Sequence, residues 1–587
     1  MFSLSILGRA CIGLGLAACT ACAGIHPKSG DAAAPQAFYT VTGEIALARH
    51  QPRIAALQYA AAAGNETDES LIERAAHVAA ESLQPTIEEK VAARWMQINP
   101  KSVEAQRAAA QAALALDKID QATTHYNVVL HHSPMAADAE FAALETYLSG
   151  NDNIFGAREL ADRLAAGFPS SAAALRVQGF TALRADDPAA AVRSFTAALA
   201  LPAPAPQKAD EEARRELLQT LARARVMAGD VEPPLAQAQE KAERDNTPMS
   251  RLDYALLLMT AQRDSAAMHQ LEILSQDADY APVAMRLLGL IEFQEGHFDA
   301  ATAKFAELLR ANKYLDDAFY YLGLIADRRN DPEHALRLFA EVQSGDNTVP
   351  ALLRAATILH GHGAPVAAEE LLDRLIEDEP QRAPEIVAAR ARIYADSGDL
   401  TRAMAVLEHG ISEYPDNVDL RYATATIYEE QGQIPAALHE LTHLLETRPD
   451  DPAAMNALGY TLADHSRELP RARKLIERAY AAAPKNAAIL DSLGWVLFRQ
   501  GHSEQAESYL RAAYADDRGG DIAAHLGEVL WQLGKNADAE RVWSEAGALD
   551  ADNRLLVATR KRLHAASQAV PATPAPWSVP PRLPAVK

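Results

Sequence analysis

The stretch of this chain whose residue types and spacing could do chemistry is His439-Glu440-Leu441-Thr442-His443. On a helix, histidines four apart share a face, so the pair can ligate zinc while the glutamate activates a water for peptide hydrolysis. His360-Gly361-His362-Gly363 and His131-His132 offer further imidazoles, and Gly13-Leu14-Gly15 holds two of the glycines a nucleotide loop would need. The chain has three thiols, Cys11, Cys19 and Cys22, and then more than 560 residues without one. The body can therefore hold neither a disulfide framework nor a cysteine metal site. Neither a Walker A phosphate loop nor a G-x-S-x-G nucleophile elbow occurs.

What would position these groups is a repeat. Gly289, Gly323, Gly459, Gly494 and Gly527 each follow a leucine, and the steps between them are multiples of about 34 residues. The intervening steps fall on Thr357, Ala391 and Ala425. Twelve residues on come Ala301, Ala335, Ala403, Ala437, Ala506 and Ala539; turn glycines recur at Gly296, Gly398, Gly432, Gly501 and Gly534; and Pro380, Pro415, Pro449 and Pro484 close units. Small residues let two helices approach, glycine ends the first, and proline stops the second. A chain that is 49% hydrophobic but only 6% aromatic, rich in alanine and leucine, suits such helices. One pair cannot bury its own apolar stripe, so neighbours must stack.

This is the tetratricopeptide (TPR) pattern, and it predicts an all-α fold, a right-handed superhelical solenoid of tandem helix pairs. Residues 282–553 show the best consensus, within a solenoid over 214–568. Residues 39–200 keep the beat more loosely, with Pro100, Pro134 and Pro169 as stops. The stretch 201–213 interrupts it, as a long loop or a hinge, and 569–587 is a proline-rich tail.

The repeat frame argues against chemistry at the histidine motif. Ala437, Leu438, Leu441, Leu444 and Leu445 take the packing stripe, which leaves His439, Glu440 and His443 on the outer face without a third ligand. His360 and His362 fall at a turn, and His131-His132 at a helix end, where imidazole suits the dipole. No catalytic residue, metal or cofactor is assigned. The net charge of −23 argues against a nucleic-acid partner.

Protein partners are expected instead, on the face made by first-helix residues not used in packing. In this frame Asn456, Tyr460 and Asp464 face inward from one unit, Asp491, Trp495, Phe498 and Arg499 from the next, and Glu528, Trp531 and Gln532 from the last. Tryptophan and arginine are favoured anchors. The aromatics are equally suited to packing against adjacent repeats or the tail, and Trp577 in that tail is a possible self-ligand.

The N-terminus reads as an export signal: Arg9 is followed by an apolar run to Ala18 that is too short to span a bilayer. Leu16-Ala17-Ala18-Cys19 resembles the bacterial lipobox, with 1–18 removed, Cys19 lipidated and 19–38 a tether. Ala21-Cys22-Ala23 leaves ordinary cleavage, and a soluble product, as the alternative. Thr20 in place of aspartate resembles an outer-membrane address.

With NALGYTLAD (456–464), AILDSLGWVLFRQG (488–501) and AAHLGEVLWQLG (523–534), the chain resembles a family of large proteobacterial TPR outer-membrane lipoproteins. The resemblance implies a periplasm-facing, lipid-anchored adaptor that binds and activates a carboxyl-terminal processing protease and presents peptidoglycan hydrolases to it. A scaffold of an envelope assembly, for polysaccharide export or outer-membrane protein insertion, would use the same parts.

The lipobox reading makes one prediction directly. Cells fed labelled palmitate should incorporate it into the wild-type protein and into Cys22→Ser, and not into Cys19→Ser, which should leave the membrane fraction. Label retained by Cys19→Ser would show that the anchor is elsewhere.

Overall fold

A computed structural model describes residues 36–64, 67–201, 208–549 and 553–568. Among them are thirty-one α-helices and no strands. Thirty form fifteen successive pairs, from Gln36–Leu47 with Pro52–Ala63 to Gly520–Gln532 with Asn536–Leu549, and Arg554–Gln568 follows alone. The chain is thus the tandem helix-pair solenoid that the 34-residue beat predicts, and the pairs continue through the loosely patterned N-terminal half. The signal, Cys19, most of the tether and Trp577 lie outside the described residues. No described helix is long and apolar enough to cross a membrane.

The connections form where local chemistry demands. Pro100, Pro134, Pro169, Pro415, Pro449 and Pro484 all lie between one pair and the next, and Pro380 opens a single 3-10 turn, Pro380–Arg382. Side-chain oxygens of Ser102, Asn417, Asp451 and Asn486 then cap the helices that follow, accepting from their first free N–H groups. Each such cap stabilises by roughly 1 kcal/mol.

Within a pair, the helices meet at one small residue of the first. A Cβ built on Gly179 would lie 2.2 Å from the Phe195 ring, on Gly323 2.5 Å from Phe339, and on Gly527 1.9 Å from Trp543. In each case the intruding side chain stands sixteen residues later and is fully buried. Gly43 and Tyr59 make the same contact, at 2.8 Å, in the first pair, so the frame reaches the start of the solenoid. The alanines twelve residues on, from Ala301 to Ala539, are completely buried. One register assignment shifts: in the tenth pair the buried small residue is Ala356, packed in one cluster with Ala368 and Leu372, while Thr357 turns its hydroxyl to the Leu353 carbonyl.

The expected interruption at 201–213 is shorter than the sequence pattern suggests. A helix, Lys208–Met227, begins inside it, because Lys, Ala, Glu and Arg from 208 onward favour helix over loop. Residues 202–207 lie outside the described residues.

The solenoid also closes on itself. Gln84 Nε2 donates to the Glu413 carbonyl at 2.7 Å, the Thr86 N–H to Asp416 at 3.3 Å, and Arg448 to the Ala115 carbonyl at 3.2 Å, all across more than 320 residues. Gln381 Nε2 donates to the Glu81 carbonyl at 3.0 Å. Leu83 packs on the cluster around Tyr414, and Phe155 on the large C-terminal cluster. The second to fourth pairs therefore rest against the connections around the eleventh to thirteenth.

Gly179→Ala should lower the urea midpoint of the N-terminal pairs. The methyl overpacks Phe195 at a cost of about 1–3 kcal/mol, more than the ~1 kcal/mol gained in helix propensity. Gly150→Ala, where a Cβ meets nothing within 4 Å, should leave the midpoint unchanged or raise it. Equal effects of the two would mean that the close approach is not limiting.

Candidate functional site

Three consecutive first helices, Pro452–Asp464, Ala487–Arg499 and Gly520–Gln532, carry the ten residues of the expected groove. Stacking lays these helices side by side, so residues one repeat apart become neighbours. Trp495 Nε1 donates to Asp464 Oδ1 at 3.1 Å, Arg499 pairs with the same carboxylate at 3.5 Å, and the Arg499 guanidinium lies 5.4 Å from the Trp495 ring centre. Phe498 packs on Trp495 at 5.3 Å.

The residue at the centre is His525, absent from the expected set. Its Nδ1 lies 2.9 and 3.0 Å from the two Asp491 oxygens, and its ring stacks on Trp495 at 4.1 Å. Tyr460 Oη stands 3.5 Å from Nε2. Burial pushes the His525 pKa down, but the Asp491 carboxylate outweighs it, helped by Asp464 and Asp521, and holds the imidazole above its ordinary value. The imidazole is thus held between a carboxylate and an indole face. Its signal was present in the sequence, since Asp491 and His525 are 34 residues apart.

This geometry corrects part of the expected surface. Trp495 is 5% exposed and Asp491 6%, because the next first helix covers them; they join units and offer nothing to a partner. Trp531 is half-buried, stacked on Trp543 at 5.6 Å and on His564 at 5.3 Å, and Glu528 pairs with Arg562 at 2.5 Å. Both are therefore engaged by the last helix, Arg554–Gln568. Asn456, Tyr460, Asp464, Phe498 and Arg499 remain half-buried with an open side, and Gln532 is exposed.

The histidine–carboxylate pair has the composition of a base and its orienter. Nε2 faces the Tyr460 phenol, whose pKa burial and nearby carboxylates raise. Through Tyr460, Asp491 and His525 the arrangement interlocks three repeats. At the other motif, His439 is exposed and Glu440 is paired with Arg421 at 3.3 Å. Among the described residues, three ligand groups come together at Glu292, Glu295 and His297, on an exposed turn far along the chain from that motif.

Family patterns for this repeat agree with the architecture. Tetratricopeptide repeat patterns match residues 286–350, 394–459 and 492–553. The TPR repeat-containing protein PA4667 of Pseudomonas aeruginosa is 33% identical over 214 residues, 36% of each chain. Bacteriophage adsorption protein A of Escherichia coli K12 is 26% identical over 259 residues, 41% of this chain and 25% of that protein. The matches thus span about a third and a quarter of those relatives. The crystal structure of yeast Tom70 aligns over 91% of this chain and 96% of that one, at 12% identity and a TM-score of 0.32. Tandem repeats of this type make a protein-binding scaffold.

Because folding raises the His525 pKa above the unfolded value of about 6.5, its stabilisation is complete below that pH and is lost as pH rises through the folded value. The stability of the C-terminal pairs, followed by tryptophan fluorescence, should therefore fall as pH rises above about 6.5. Asp491→Asn should flatten that dependence and lose roughly 3–5 kcal/mol at the acid end. An unchanged slope in Asp491→Asn would assign the titration to another group.

Proposed function

We propose that this protein is a lipid-anchored, periplasm-facing adaptor of the outer membrane. It uses the open side of its C-terminal first helices to hold a carboxyl-terminal processing protease and to deliver peptidoglycan hydrolases to it. The observation that carries the proposal is the continuous face over three repeats in which Trp495, Asp491 and His525 lock Tyr460, Phe498 and Arg499 in place beneath an open surface. Side chains ordered before binding spare a partner the entropy of ordering them. Tyrosine and arginine, both present on the open side, are the types that dominate binding energy elsewhere.

The anchor rests on Leu16-Ala17-Ala18-Cys19, and two or more acyl chains suffice for stable attachment. The absence of thiols from the body suits an oxidising compartment. A second reading, a scaffold of an envelope assembly, draws on the Escherichia coli relative, whose name places it in bacteriophage adsorption, an event at the cell envelope.

A crosslinked pull-down from intact cells separates the two. Wild type should recover a processing protease, and the Tyr460→Ala, Phe498→Ala double variant should recover about tenfold less or lower still. An export or insertion barrel recovered without a protease would favour the assembly scaffold. A protease retained in full by the double variant would move the contact off this face.

A further inference from the structure

Where the solenoid meets itself, it encloses a cavity of about 810 Å³ between the second to fourth pairs and the eleventh to thirteenth. Its wall is apolar along Leu83, Tyr147 and Phe155, and two polar groups in it lack partners. Glu88 is 6% exposed, and no hydrogen bond or ion pair to its carboxyl is found among the described residues. Tyr422 Oη is buried and has no hydrogen-bond partner among the described residues. Buried polar groups are nearly always satisfied in folded proteins, so the unpartnered Glu88 carboxyl in this wall points to something that occupies the cavity.

The charge around the cavity is lopsided. Asp152 and Asp419 at the rim carry no ion pair among the described residues, and Asp451 stands with them. Of the cations, Arg382 is bound to Glu385 at 2.7 Å, and Arg448 gives its Nη2 to the Ala115 carbonyl. Desolvation holds the Asp419 carboxyl above the usual range, and Asp152 adds to it. Burial pushes Glu88 up to about 8, so at neutral pH it is a buried acid waiting for a positive partner. An anion is disfavoured here by this charge. A divalent metal would need three converging ligand groups, and among the described residues these occur at Glu292, Glu295 and His297 instead.

We propose that the cavity binds an organic cation, an ammonium or guanidinium on an aliphatic stem, with its charge against Glu88 and its stem along Leu83, Tyr147 and Phe155. Such a group reaches the site either as a free polyamine or as a lysine or arginine side chain of a bound peptide. The residues proposed to hold the cation, Glu88, Leu83, Tyr147 and Phe155, belong to the second and fourth pairs, away from Tyr460, Phe498 and Arg499, so the site stands or falls independently of the adaptor reading.

Isothermal titration of the full chain with spermidine, and separately with the capped peptide acetyl-Leu-Lys-Leu-amide, tests this in buffers of different ionisation heat. Binding should release about one proton at neutral pH, as the incoming cation draws Glu88 back below its raised value. Glu88→Gln should weaken binding by about tenfold or more and abolish the release, while Asp419→Asn should weaken binding and keep the release. Because Glu88→Gln removes a buried ionisable group, its urea midpoint at about pH 8 should equal or exceed that of wild type, which separates lost binding from lost folding. Tighter binding of spermidine would identify a free amine, and tighter binding of the peptide a partner's basic segment. Absence of binding by both probes, or wild-type affinity in Glu88→Gln, would overturn the proposal.

Discussion

The rest of this structure depends on the contact between a residue without a large side chain on one helix and a bulky side chain on its partner. At Gly179 and Phe195, or Gly527 and Trp543, the ring occupies the volume that a Cβ would need. That contact sets the distance between the two helices of a pair. With the distance fixed, the alanine four residues before the ring is forced into complete burial, as at Ala191 and Ala539. Each pair then presents the same outer dimensions to its neighbour, and stacking fifteen of them yields a regular solenoid rather than a collapsed bundle.

Regular stacking has a consequence for charge. Side chains about one repeat apart meet across adjacent helices, and many of those meetings pair an arginine with a carboxylate: Arg107 with Glu140, Arg286 with Asp317, Arg562 with Glu528. Most such pairs are solvent-exposed and stabilise only weakly. The Asp491–His525 pair differs because both partners are buried and an indole covers the imidazole. In a chain with a net charge of −23, Asp464, Asp491 and Asp521 all act on that imidazole and raise its pKa. The buried layer therefore supplies rigidity, and the residues above it, Tyr460 and Phe498 among them, supply the surface.

Curvature then brings together groups that the repeat does not relate. The Gln84, Thr86 and Arg448 hydrogen bonds join segments more than 320 residues apart, and they arise only because the stack bends far enough to meet itself. The contacts there are polar and irregular, which is why a cavity with unsatisfied groups survives between them. Within the stack, by contrast, the close approach of a small residue to a bulky side chain recurs from pair to pair.

The sequence by itself determined the helix pairs, their stops and the small residues at their crossing, because these follow from propensity, proline and steric fit within about 34 residues. Pro134 and Pro449 end units where the spacing says they must, and Gly494 marks its crossing without any knowledge of the fold. Gly43 and Gly179 were equally legible in principle, but in the N-terminal half the other consensus positions are filled by residues that do not stand out. Only the tertiary structure decided which side chains remain open. Trp495 and Phe498 occupy the same helix three residues apart, yet one is sealed by His525 and the other is not, and the covering helix comes from the next repeat. The placement of Glu88 and Tyr422 around one cavity was beyond any sequence pattern, since it depends on the accumulated bend of about nine pairs. Small rotations per repeat add over that distance to fix where the chain meets itself, and no local run of residues encodes the sum.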